Sequence, residues 1–184
     1  MQRFFNKKKY VLIFCLFAFS LGLFSQTATK IDSLGLRNLY QIDEGVFRSE
    51  QPDRLSFINL EKYGITEVIN LRHWHSDDKK ADKLILHRVP MRSGKINEND
   101  VIQVLKIIKN RQGNILIHCK HGSDRTGLIV AMYRIVFQDF TKEQAIEEMT
   151  KKEFGFHHIY SNIIKYIRYA DVENMKKMVL TDEL

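Results

Sequence analysis

The chain of 184 residues alternates short apolar runs with segments whose apolar residues recur every three or four positions. Residues 65–71 (ITEVINL) and 84–89 predict two strands, and the polar residues 72–82 between them predict a loop. Residues 46–48 predict a short edge strand, stopped by Pro52 and Asp53, which suit the first turn of a helix through Leu55, Ile58 and Leu60. Gly64 ends that helix. Asn97-x-x-Asp100 opens a second helix, with Val101, Val104, Leu105 and Ile108 at helical spacing. Gly113 and Asn114 turn the chain into a short buried strand at 115–118. From Arg125 a helix runs through Leu128, Ile129, Val130, Met132, Ile135 and Val136, apolar on nearly every side and therefore central. Thr141-x-x-Gln144 caps another helix, and a last helical stretch covers residues 161–179. Strands separated by helices predict one compact α/β domain over residues 38–184, with a central, partly parallel sheet of four to five strands. A short segment, 26–37, precedes it.

Charge changes the picture at the N-terminus. The chain carries +7, with 44% hydrophobic residues. Four of its 29 basic residues (Arg3, Lys7, Lys8, Lys9) and none of its 22 acidic ones lie in residues 1–25. This basic leader is followed by a fully apolar or small run, 11–24, and a small polar stretch, the layout of a secretory signal peptide. The run is shorter than the ~20 residues of a spanning helix, so cleavage near Ser25 and a secreted or periplasmic domain without a stable membrane span are expected. An uncleaved leader acting as a membrane tether is the alternative. Without the leader the chain is near balance, at +3, which removes the bulk charge of a nucleic-acid binder. Of the two cysteines, Cys15 lies in the leader and lacks a lipid-anchor context. Cys119 then stands alone and cannot form an intramolecular disulfide.

The informative segment is ILIHCKHGSDRTG, residues 115–127. A buried strand delivers Cys119, a loop containing Gly122 follows, and a helix starts at Arg125. Five residues between cysteine and arginine let the loop curl into a cradle of inward-pointing N–H groups beside the positive end of a helix. A phosphate fits such a cradle, and the same field favours the Cys119 thiolate as a nucleophile. Arg125 can fork two hydrogen bonds onto phosphoryl oxygens. The Thr126 hydroxyl is placed to reach the sulfur, and His118 can fix the loop through its ring nitrogens. Lys120, His121, Gly122 and Ser123 would line the bound phosphate, with Lys120 and His121 adding positive charge, and Arg92 and Lys95 face them across a cleft. A buried core cysteine that happens to end a strand is the bland alternative, and the spacing of cysteine, glycine, arginine, hydroxyl and glycine argues against it.

With those residues the chain resembles the cysteine-dependent phosphatases with a His-Cys-x5-Arg-Thr/Ser-Gly signature, in particular the compact dual-specificity branch. Residues 47–52 (FRSEQP) and 64–72 (GITEVINLR) are similar to the atypical bacterial, fungal and plant members, so the resemblance covers roughly residues 38–167. It implies phosphomonoester hydrolysis with neither metal nor cofactor, through a phosphocysteine on Cys119. It also implies an aspartate general acid about thirty residues before the cysteine, where this chain reads VPMRSG, with no carboxylate. Glu98 and Asp100 are better explained as first-turn helix residues. Asp124 is the remaining candidate acid, and it could equally hydrogen-bond loop amides or basic neighbours.

The substrate would be a phosphorylated protein or a polyanionic phosphate ester such as an inositol phosphate or phosphoinositide. From another class, a catalytically inactive phospho-binding module is opposed by the intact Cys119 and Arg125, and sulfur or arsenate chemistry by the Thr126-Gly127 helix start. His73, His75 and His87 lack the partners of a zinc site. Residues 77–80 (DDKK) are most simply a solvated loop. Residues 154–158 (FGFHH) fit either a pocket wall or a core turn, and the terminal TDEL lacks the leading residue of a retention signal. Oligomeric state has no signature.

Overall fold

The computed structural model describes residues 27–81 and 83–181. The expected leader, residues 1–25, lies outside the described residues, as does the TDEL terminus beyond Thr181. A six-stranded mixed sheet forms the centre: β1 (Thr29–Lys30), β2 (Tyr40–Asp43), β3 (Val46–Ser49), β4 (Ile65–Arg72), β5 (Ile85–Met91) and β6 (Asn114–His118), in the order β1-β2-β3-β6-β4-β5. Strands β3, β6, β4 and β5 run parallel, and β1 and β2 add antiparallel to one side.

Six strands exceed the expectation of four to five, and β1 and β2 have no counterpart among the expected strands. β2 has the alternation of a strand, with Tyr40 and Ile42 buried and Gln41 and Asp43 half-buried. It covers β3, so residues 46–49 form an interior strand with all four residues buried, in place of the expected edge strand. The sheet accordingly begins at Thr29, upstream of the domain start expected at Asn38, and Leu36 joins the core.

Helices cover both faces. On one side lies α1 (Arg54–Tyr63), whose Phe57 and Leu60 meet Leu39, Phe47, Val68 and Leu116. Asp53 is its N-cap, accepting from the Ser56 amide, and Gly64 ends it in the left-handed conformation that a side chain would disfavour. On the other side lie α2 (Glu98–Lys109), α3 (Asp124–Phe137), α4 (Lys142–Thr150), α5 (Ser161–Tyr169) and α6 (Val172–Leu180). The odd and even residues of β6 separate accordingly: Ile115 and Ile117 face the larger core, Leu116 the smaller. Helix α3 packs against α2, α4, α5, α6, β3 and β6, which explains its apolarity all round. The expected single helix over residues 161–179 is two, because Asp171 caps α6 through the Asn174 amide. Thr141 and Gln144 form the expected capping box at α4. Among the described residues, no helix is long and apolar enough to cross a membrane.

The consequence for function is positional. Four parallel strands end on the same side of the sheet, and the residues they deliver there, Ser49, Arg72, Met91 and His118, ring one spot. The next residue after β6 is Cys119.

Candidate active site

Cys119 is 1% exposed and is the free cysteine among the described residues. The chain from Cys119 to α3 is a cradle because its carbonyls are claimed from outside. The Cys119 carbonyl oxygen faces His118 Nδ1 at 3.3 Å. Lys120 O accepts from the Gln51 amide at 3.3 Å, His121 O from Asn38 Nδ2 at 2.8 Å, and Gly122 O from Arg48 Nη2 at 2.5 Å. A trans peptide is planar and sets each N–H opposite the preceding carbonyl. Tying four successive carbonyls to the scaffold therefore turns the N–H groups of residues 120–123 toward the common centre, beside the N-terminus of the 14-residue helix α3.

Gly122 is required for this shape. Its φ is +70°, and a Cβ there would lie 2.6 Å from the Ser49 backbone. The loop thus leans directly on the end of β3, the strand that also supplies Arg48.

Three guanidinium groups gather at the strand ends, two of them, Arg48 and Arg72, within the field of the Cys119 sulfur. Arg125 is half-buried and donates from Nη1 to the Leu71 and Met91 carbonyls at 3.4 and 3.5 Å, while its buried Nε has no hydrogen-bond partner. Arg72 bonds Gln51 at 3.1 Å; burial lowers its pKa, followed by repulsion from Arg125, while Asp77 and the Cys119 sulfur act in its favour. Arg48 is wholly buried, lies 4.3 Å from the Phe154 ring centre, and leaves Nε and Nη1 without partners. Burial pushes its pKa down to about 10, and among the charges acting on it Cys119 pulls back most strongly.

His118 is fully buried and its Nε2 lies 2.9 Å from Asp77 Oδ2. Asp77 also accepts from Gln51 and Asn70 at 2.8 and 2.7 Å. Burial alone would raise the Asp77 pKa, but these bonds and the His118 ring outweigh it and hold the carboxyl below its usual range. Asp77 is therefore no solvated loop residue, as expected from the charged run around it, but the buried anchor of the residue before the nucleophile.

Asp124 is also buried. Its Oδ1 accepts from the His157 amide at 2.9 Å, and His157 Nδ1 lies 3.0–3.1 Å from both carboxylate oxygens. The FGFHH segment is thus both things weighed for it: Phe154 and Phe156 enter the core, and His157 stands at the cradle's rim. Ser123 is buried, its Oγ accepting from Asn38 and donating to the His121 carbonyl, each at 3.4 Å. The Thr126 hydroxyl is buried with no hydrogen-bond partner, so its expected bond to the sulfur is not made here. Lys120 and His121 are exposed at the rim. Burial, then Lys120 and His157, lower the pKa of His121. Arg92, expected across the cleft, is held by the His73 ring, with Nη2 at 3.1 Å from Nε2. His87 pairs with Glu67 at 2.9 Å. A cleft of about 560 Å³, lined in part by Lys30, Arg37, Asn38, His121 and His157, opens beside the rim.

Arg48, Asp77 and His157 lie in segments the sequence marks, 47–52, 77–80 and 154–158, but the sequence assigns these residues, like Asn38, Gln51 and Arg72, no role at the site. A parallel α/β sheet ending in a cysteine, a cradle and an anion-seeking helix terminus defines a cysteine-dependent phosphatase. The model of the dual specificity phosphatase catalytic domain matches residues 47–168, and the chain belongs to that family. It is 32% identical over 152 residues to the dual specificity protein phosphatase TpbA of Pseudomonas aeruginosa, covering 79% of this chain and 68% of that one. The crystal structure of P. aeruginosa TpbA superposes with a TM-score of 0.76 at 29% identity, over 86% of this chain and 99% of that one. The catalytic core of the PP-IP phosphatase SIW14 from S. cerevisiae shares the fold, with a TM-score of 0.67 at 19% identity, over 78% of this chain and 91% of that one.

Proposed function

We propose that this phosphatase acts first on phosphotyrosine in proteins, with Cys119 as nucleophile. The observation that carries the roles is the set of four scaffold-bound carbonyls, which leaves the cradle's amides preset for the three non-bridging oxygens of a phosphoryl group. The Cys119 thiolate attacks phosphorus, the P–O bond to the substrate breaks, and the leaving oxygen takes a proton from solvent water. Water then attacks the phosphocysteine, the S–P bond breaks, and inorganic phosphate leaves with the thiolate restored. Arg125 forks onto the transferring oxygens. His118, held by Asp77, positions the loop; Arg48 positions it through the Gly122 carbonyl and keeps its unpartnered Nε and Nη1 for the bound anion.

Asp124 binds His157 with its carboxylate, which supports the positioning role over that of acid. Residues 89–94 carry no carboxyl group either. A site with so little acid assistance favours a leaving group that needs little: a phenol, with a pKa of about 10, departs far more readily than a serine alkoxide. The related TpbA has been solved in complex with phosphotyrosine, at 28% identity to this chain. Asp124→Asn should therefore slow good and poor leaving groups alike; a loss confined to poor ones would make Asp124 the acid.

A polyanionic phosphate ester is the second reading, favoured by Lys120 exposed at the rim and by Arg72 beside the thiol. Phosphate release from phosphotyrosine, phosphoserine and phosphothreonine peptides, phosphoinositides and inositol polyphosphates, with Cys119→Ser as blank, separates the two. Phosphotyrosine peptides should turn over fastest, and faster turnover of an inositol polyphosphate reverses the order. The basic, apolar leader supports work outside the cytoplasm, cleaved or as a tether. Fractionating cells that express the full chain tests it: protein retained in the cytoplasm at full length would refute export.

A further inference from the structure

We propose that His121, Asp124 and His157 form a site for one zinc-class divalent cation at the rim of the cradle, and that occupancy of this site inhibits the enzyme. The binding claim stands on geometry alone; the inhibition rests on the phosphatase reading above. Among the described residues, these three bring one nitrogen or oxygen donor each to within 4.8 Å of one another. His121 and Asp124 come from the cradle itself and His157 from the segment after α4, so an ion here would tie the loop to its neighbour.

The parts suit a metal in three ways. Asp124 is buried and fixed by the His157 amide, so one anionic ligand is preset. Asp124 and His157 Nδ1, at 3.0 Å, already stand about as far apart as two ligands on a tetrahedral zinc with bonds of about 2.0–2.1 Å. The remaining donor belongs to His121, an exposed ring only 5.4 Å from that of His157, which closes the residual gap by a rotamer change without moving the core. Two imidazoles and one carboxylate are a borderline donor set that selects Zn²⁺, or Co²⁺ in its place, over Mg²⁺ and Ca²⁺, which demand more oxygens. The adjoining cleft gives the ion a path from solvent. His73 and His87, already discounted as zinc ligands on sequence grounds, are otherwise engaged, His87 with Glu67 and His73 with Arg92.

Three protein ligands leave a fourth position open. A zinc ion there would pin His121 and His157 across the entrance and obstruct the substrate ester, whereas the hydrolysis proposed above uses no metal.

Cys119→Ser protein isolates the site, since the thiolate can then contribute no ligand. Calorimetric titration with Zn²⁺ should give one equivalent, and Co²⁺ should give the visible absorption of a tetrahedral centre. His157→Ala and His121→Ala, both surface changes, should each weaken binding more than roughly tenfold, the scale lost even for partners that do not touch the metal. In the enzyme with Cys119 intact, Zn²⁺ should inhibit at the concentration that fills the site, and a chelator should restore activity. Absence of binding in Cys119→Ser, binding unchanged by both histidine substitutions, or equal binding of Mg²⁺ overturns the site. Binding with the expected ligand dependence but no inhibition of an active enzyme overturns the regulatory claim. A protein that binds Zn²⁺ as described yet hydrolyses no phosphoester leaves the site standing and defeats the phosphatase reading instead.

Discussion

Two arginines are wholly buried among the described residues, and they are buried in opposite ways. Arg134, in the last turn of α3, is saturated: it forks onto Glu148 at 2.8 and 2.9 Å and donates to the Ile42 carbonyl and to Gln138. Arg48, at the end of β3, makes one hydrogen bond, to the Gly122 carbonyl, and its Nε and Nη1 have none. Desolvating a cation is costly unless its donors are satisfied. Arg134 meets that condition within the fold. Arg48 does not, and the negative charge that most favours it is the Cys119 sulfur. Buried charge in the helical layer serves structure, whereas at the ends of the parallel strands it is kept for an anion.

The sharpest way to break that contrast is to remove each cation. Arg134→Met leaves the Glu148 carboxylate buried and unpaired, and should cost about 3–5 kcal/mol in denaturant unfolding. The kcat of the folded fraction should hardly change. Arg48→Met should cost less than about 2 kcal/mol, since one carbonyl loses its partner while a strained cation is relieved. Its kcat should nevertheless fall by roughly 10²–10³, the scale of losing a preset oxyanion donor. Inorganic phosphate should inhibit it more weakly, and Arg48→Lys should recover part of both effects. Equal stability losses for the two arginines, or an Arg48 variant of normal kcat, would erase the distinction.

Gly122→Ala tests the lean of the cradle on β3. The backbone clash and the left-handed φ should cost roughly 1–3 kcal/mol and lower kcat/KM together, as read by unfolding and steady-state kinetics.

The smallest effect concerns Asp77, a buried charge that is paired and so belongs with Arg134 in kind. Its carboxyl is held below its unfolded value, so its contribution to stability is complete above the ordinary carboxylate pKa of about 3.9 and is lost as pH falls through the folded value. Unfolding midpoints followed from about pH 6 down to about pH 3 should therefore drop less steeply for Asp77→Asn than for the parent chain. Identical slopes would mean that the pair with His118 contributes nothing.

What the sequence shows of this site follows from distance along the chain. Cys119, Gly122, Arg125 and the helix that follows are contiguous, so their spacing alone defines a cradle. Arg48 sits 74 residues from the carbonyl it holds, and no local pattern links them. Asp77 stands in a run of charged residues that reads as surface, and only its pairing with His118, 41 residues on, buries it. His157 meets Asp124 only because α4 and the short turns after it bring the chain back over the loop. In the fold, the core strands and helices show by period, whereas β1 has only two residues, too few for a period, and β2 shows its alternation over only four. The helix break at Ala170 had a usable signal in the capping Asp171, masked by apolar residues continuing at helical spacing on both sides.

The central claim is that Cys119 carries the phosphoryl group. Acid quenching during turnover of a phosphotyrosine peptide, followed by mass analysis of the protein, measures this directly. One phosphoryl group on the peptide containing Cys119, formed within the first turnover and absent in Cys119→Ser, is the expected result. Steady turnover with no phosphorylated enzyme, or turnover that survives Cys119→Ser, would contradict it.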